Sequence, residues 1–214
     1  MNPSIPAAFG TGLGLAAGAG LNAYAVLLVY GVIAHFFPEE YPGAIAQVLG
    51  SPTALLVIAG LFLLEFFADK IPVLDHVWDV LHSVIRPVAG AVLAIASMEP
   101  QSDTALSVVA GGAGGVTALA SHLVKAATRV SSTALTGGVA NIALSIAEDV
   151  MAFVQALVSM FLPLVALTVV AFFGLLFIFT VPRIARKFDL LGRRRPKPPG
   201  SPPSGEYPRV KPAS

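Results

Sequence analysis

Charged residues set inside apolar stretches are where this sequence could do chemistry: Glu65, Asp69 and Lys70 in its first half, and Lys125, Arg129, Glu148 and Asp149 in its second. Each costs about 2.5–3.5 kcal/mol at the centre of a bilayer, so it needs a partner or a watery cavity. Glu65 and Asp69 stand at i, i+4 and share a helical face, which lets two carboxylates share a proton or hold a cation. Glu148 and Asp149 project about 100° apart on a helix. One of them can face the Glu65 and Asp69 pair while the other meets Lys125 or Arg129. Asn141, Ser145 and Gln155 extend the polar side of the helix that carries Glu148, and His122, Lys125 and Arg129 share a face at i, i+3 and i+7. Two readings stay open. The charges are buried salt bridges that fix helix register, or Glu65, Asp69, Lys70, Lys125, Arg129, Asn141, Glu148 and Asp149 line the path of an ion or small solute.

Other chemistries fit less well. His76, Asp79 and His82 are metal-ligand types, but His76 and His82 fall about 240° apart on one helix and no HExxH element is present. No metal is expected. Asp75, Asp79, His82 and Arg86 instead recur at i, i+4, i+7 and i+11, opposite Leu74, Trp78, Leu81 and Ile85, which predicts an amphipathic helix, interfacial or cavity-lining, its polar stripe placed at the interface with Trp78 at the headgroup level. The glycine-rich runs GTGLGLAAGAG and GGAGGVTA carry no Walker lysine, and there is no GxSxG elbow. The chain is therefore not read as an enzyme, and no cofactor is expected.

The elements that must position these charges are helices in lipid. With 56% hydrophobic and 12% charged residues and a mean hydropathy of +0.80, the chain has about half the charged fraction of a soluble domain. It contains no cysteine, so neither a disulfide framework nor a thiolate metal site can form. The uncharged stretch from Ile5 to Phe37 exceeds the roughly 20 residues of one span. It predicts a short helix, a break near Gly18–Gly20 and a full span, with one long tilted helix as the alternative. A span over Thr53–Asp69 comes next, then the two-faced helix, then an apolar run from Pro87 to Ala96. The second half offers Thr104–Val130, a Gly137–Gly138 break, a helix to Phe161, and a last span opened by Pro163.

The expected fold is an all-α membrane bundle of about six segments, some broken or short. Both halves run in the order glycine-rich helix, acidic helix, proline-led apolar run, with Glu65 matching Glu148 and Pro87 matching Pro163. Three segments per half would make residues 5–98 and 104–183 an inverted repeat, an arrangement common in transporters. Residues 1–190 form the membrane domain, and residues 191–214, dense in proline and arginine, are expected to be a disordered tail. Nine of the thirteen Lys and Arg residues lie at or beyond Arg183. That asymmetry predicts a cytoplasmic C-terminus with anionic lipid as the tail's partner and no nucleic acid. The glycine stripes allow a homo-oligomer. The N-terminus lacks the basic residues of a signal peptide and is read as part of the mature chain.

The runs LEFFADKIPVLDHVWDVLHSVIRPVAGAVLA (64–94), GGVTALASHLVKAATRVSS (114–132) and ALSIAEDVMAF (143–153) resemble domain-of-unknown-function family 4126, over roughly Ala8 to Val170. The resemblance implies a multipass protein of the bacterial inner membrane and leaves function open; the tail after Phe188 lies outside it. The residues themselves favour a transporter- or channel-like role for a small solute or ion. A non-transporting scaffold whose buried charges are structural is the alternative.

Overall fold

A computed structural model describes residues 3–98 and 103–193. The described residues form eight helices: α1 (Ile5–Ala19), α2 (Ala23–Phe36), α3 (Ala44–Leu49), α4 (Pro52–Ala68), α5 (Pro72–Met98), α6 (Thr104–Thr136), α7 (Val139–Phe161) and α8 (Pro163–Arg193). No strand occurs among them. Three helical stretches, Val80–Met98, Thr104–Thr136 and Val139–Phe161, are long and apolar enough to cross a membrane, and the shorter apolar helices include α1, α2, α4 and Pro163–Phe179. The bundle body extends to Phe172; from Phe173 a second unit continues α8 with Phe173, Leu175, Leu176, Ile178 and Phe179 all exposed.

Local chemistry sets the helix ends. Asn22 caps α2 by accepting from the Ala25 N–H at 2.9 Å, Ser51 caps α4 with Pro52 at its first position, and Asp103 caps α6 by accepting from Ala105 and Leu106. The chain reverses from α6 into α7 through Gly137 and Gly138 at φ of 63° and 90°, a left-handed conformation that favours glycine.

The body is apolar outside and polar or small inside. Val80, Leu81, Val84 and Val88 of α5 are exposed, as are Val116, Leu123 and Val124 of α6 and Ile146, Val150 and Val154 of α7. The interior holds many alanines and glycines and the charged side chains, with a few large apolar residues such as Leu15, Val26, Tyr30, Leu93 and Met98 among them. In lipid, large aliphatic groups gain little by facing inward, so close backbone approach and polar contacts weigh more in what is buried.

The sequence predicted a break near Gly18–Gly20, and the chain breaks at Gly20–Asn22. The helix beyond the break is not a full span, because α2 has 14 residues, a rise of about 21 Å against a hydrocarbon core of about 30 Å. α1 descends along α7, with Gly14 against Ser159 and Gly18 against Ala152. α2 then climbs back: Val26 touches Gly18, while Tyr30 shares a cleft with Thr11, Ala96 and Met160. That cleft, of about 160 Å³, is lined by Pro3 before α1 as well as Glu40 and Tyr41 after α2. The two helices therefore make a hairpin that enters and leaves at one end of the body with its tip inside.

Pro87 opens no new segment. It lies inside the continuous helix α5, because neighbouring helices and local adjustment can accommodate the lost backbone hydrogen bond in a packed membrane helix. Pro163, its counterpart in the proposed repeat, does open a helix.

Candidate functional site

Four helices and the hairpin tip converge on one buried charge network. α4 ends at the sequence pair Glu65 and Asp69, but the two carboxylates go separate ways. Glu65, fully buried, accepts from Arg86 Nη2 at 2.9 Å and lies 3.4 Å from His82 Nε2. Asp69, the C-cap of α4, meets Lys125 at 3.2 Å and Arg129 at 3.0 Å, both through Oδ2. Glu148 of α7 takes the same two cations, at 3.2 Å from Lys125 and 2.7 Å from Arg129. Asp149, turned away from Glu148, accepts from Asn22 Nδ2 at 2.8 Å and stands 3.7 Å from Lys70 Nζ.

The hairpin tip joins the network at both of its open ends. Lys125 Nζ donates to the Leu21 carbonyl at 2.9 Å, where the C-terminal end of α1 carries partial negative charge. Asn22 uses its side-chain oxygen to cap α2 and its NH2 group to hold Asp149. Gly20 lets the tip sit against α6, since a Cβ there would strike the Ala118 carbonyl and the Ser121 side chain.

Among the described residues, four carboxylates (Glu65, Asp69, Glu148, Asp149) thus face four cations (Lys70, Arg86, Lys125, Arg129). Formal charge balances at zero with the histidines neutral. Lys70 has the most open side chain of these pairs, at 18% exposure, and its Nζ also donates to the Phe66 carbonyl at 2.8 Å and sits 3.3 Å from the Phe66 ring centroid. Among the described residues, three buried carboxylate oxygens have no hydrogen-bond donor: Glu65 Oε2, Asp69 Oδ1 and Asp149 Oδ2.

The histidines are fixed by geometry. Arg86 Nη1 lies 2.6 Å from His122 Nδ1, and a guanidinium can only donate, so Nδ1 accepts and Nε2 carries the hydrogen that reaches Ser83 Oγ at 3.2 Å.

Of the sequence candidates, Glu65, Asp69, Lys70, Lys125, Arg129, Glu148 and Asp149 come together here. Asn141 does not: it donates to Thr133 Oγ1 at 2.8 Å beside the α6–α7 turn. The interfacial stripe needs correction, since His82 and Arg86 are fully buried. An amphipathic helix among lipids turns its polar face to the protein, and Glu65 supplies the partner that holds Arg86 there. The Asp75 and Asp79 side chains lie outside the described residues. Sequence reasoning missed Asn22 and the Leu21 carbonyl. The signal available for Asn22 was an Asn directly after a glycine break, a preferred N-cap position.

No curated protein and no solved structure matches the chain. A family match covers residues 9–183, most of the chain and all of the network. The chain belongs to the family described as Domain of unknown function (DUF4126).

Proposed function

We propose that the protein passes a small ion or solute across the membrane, transporter- or channel-like, with the hairpin tip and the charge network as its polar centre. The observation that carries this is the tip. Non-helical backbone at membrane depth is tolerated where it is buried in protein or lines a watery path, and here the two broken ends face a cation and an anion, Lys125 and Asp149. Broken helices whose ends bind charged groups serve secondary transporters in this way. Glu65 Oε2, Asp69 Oδ1 and Asp149 Oδ2, which have no hydrogen-bond donor among the described residues, offer acceptors to a proton, a water or a cation.

A second reading has its own support, the four-against-four balance, which suits a scaffold whose buried pairs fix helix register. Asp149→Asn separates the two, because the introduced amide oxygen can still accept from Asn22 while the charge is gone. Under transport, the purified variant keeps its melting temperature in detergent and loses ion- or solute-dependent flux in reconstituted vesicles. Under the scaffold reading it melts earlier, since Lys70 loses its counter-charge. Unchanged melting with unchanged flux across protons, alkali cations and divalent cations would sink both roles for Asp149.

We place the protein in the bacterial inner membrane with residues 191–214 as a cytoplasmic tail against anionic lipid; residues 191–193 end α8, and residues 194–214 lie outside the described residues. A reporter fused after Ser214 tests this, and periplasmic phosphatase activity would reverse the orientation. Residues 5–98 hold five helices and residues 104–183 carry parts of three, and Pro87 lies inside α5 where Pro163 opens α8, so the helix order does not support the inverted repeat expected from the sequence. No catalytic role is proposed.

A further inference from the structure

The contacts of His82 carry a more specific reading, which rests on the transport proposal. His82 Nδ1 is 2.8 Å from the Trp78 carbonyl oxygen. A carbonyl only accepts, so Nδ1 bears a hydrogen. That leaves Nε2 3.4 Å from Glu65 Oε1, both side chains fully buried, and Nε2 has no hydrogen-bond partner among the described residues. With Nε2 bare and Glu65 ionised, a lone pair would face a carboxylate oxygen in a dry interior. Two acceptors so placed repel, and an unmade hydrogen bond there costs its full desolvation penalty. One added proton turns that repulsion into an attraction.

We infer that Glu65 and His82 form a proton-binding site and that the proton is the species the protein moves. Binding adds H⁺ to the Nε2 lone pair or to the Glu65 carboxylate, with no electrons exchanged, and takes the pair from a charge of −1 to 0. Arg86, which donates to Glu65 Oε1, then sits beside a neutral pair, so the proton has a ready cause to leave. Among the described residues, the groups around the pair come from several packed helices. α5 gives Arg86 and Trp78, α4 gives Asp69, and α6 gives Lys125 and His122, the latter through Arg86. α2 gives Tyr24, edge-on to the His82 ring at 5.6 Å, and α7 gives Glu148 through Lys125. Glu65 Oε2, buried and without a donor among the described residues, is a second seat for the proton on the same carboxylate.

The test uses full-length protein in lipid vesicles. Nitrogen-15 spectra of labelled histidine and the infrared carboxyl region report the proton, as a second N–H on the His82 ring or as a protonated-carboxyl band. Either signal supports the site, provided Glu65→Gln removes it. Proton uptake driven by a potassium-valinomycin potential should be present in wild type and fall to the level of empty vesicles in Glu65→Gln and in His82→Gln. The second variant keeps the Glu65–Arg86 pair, so it remains informative if Glu65→Gln does not fold. An ionised Glu65 with a bare Nε2 overturns the inference, and so does a proton signal with undiminished proton flux in both variants. Wild-type flux of another ion or solute without proton flux overturns only this inference. No flux of any species above empty vesicles sinks the transport reading along with it.

Discussion

The α1–α2 hairpin is held in two different ways along its length. Near its open end, α1 is seated by glycines: a Cβ on Gly10 would strike the Pro163 carbonyl, one on Gly12 would press on Ala94, and one on Gly14 would strike Ser159 and Ala166. At the tip, side-chain and carbonyl groups take over, with Lys125 on Leu21 and Asp149 on Asn22. A small-residue seam is non-directional and tolerates little change in volume, because its attraction is summed from short contacts. A charge network is directional, and its large desolvation cost is offset only when each member keeps its partners. Shape therefore decides whether α1 fits, and charge decides where the hairpin stops.

The largest effect should come from breaking the charged end where it has least redundancy. Arg86 is the cation that hydrogen-bonds Glu65, whereas Asp69 and Glu148 each meet both Lys125 and Arg129. Arg86→Met should cost about 3–5 kcal/mol in unfolding measured in mixed micelles, the range for stranding a buried charge. Lys125→Met should cost less, because Arg129 still serves both carboxylates. Equal losses for the two variants would show that the network does not divide as the distances indicate.

Much of the helix map was legible in the sequence. The ends of α7 at Phe161 and of α4 near Asp69, the Gly137–Gly138 reversal and the opening of α8 at Pro163 reflect glycine, proline and capping chemistry, which act over a few residues. Seven members of the network were legible too, since charges at those positions have nowhere else to go, whereas Arg86 and His82 were expected at the interface, Asn22 was missed and Asn141 lies elsewhere. The pairing was not. The i, i+4 spacing of Glu65 and Asp69 suggested one shared site, yet Asp69 sits at the helix end, where it turns to α6, while Glu65 meets α5. The return path of α2 was equally hidden, because apolarity measures how much of a segment avoids water and says nothing of the direction in which it runs.

A smaller loss is expected where α5 crosses α6. A methyl group on Gly114 would meet the Ala94 side chain and the Gly90 carbonyl, and backbone cannot give way as a flexible side chain can. Gly114→Ala should cost about 1–3 kcal/mol, the usual range for overpacking, read as a lower unfolding midpoint in the same micelles. A midpoint at or above wild type would mean that the two helices can part there without loss, and the small-residue seam would not be what sets their distance.

Two residues earlier on the same helix the sign should reverse. A Cβ on Gly112 meets nothing within 4 Å in the single chain, so Gly112→Ala adds no clash and removes only the conformational freedom that glycine brings to a helix. The expected gain is about 0.5–1 kcal/mol, the smallest of the three effects and the one that bears most on assembly. Monomeric protein in dilute micelles should show it. If the midpoint instead falls, and falls further as the protein-to-detergent ratio rises, then a second copy is packed against that face of α6. Gly112 would then do between chains what Gly114 does within one. Chemical cross-linking of wild type and Gly112→Ala at matched ratios decides between the two outcomes: a dimer band weakened by the methyl group places the oligomer contact on α6, and an unchanged pattern leaves that face to lipid.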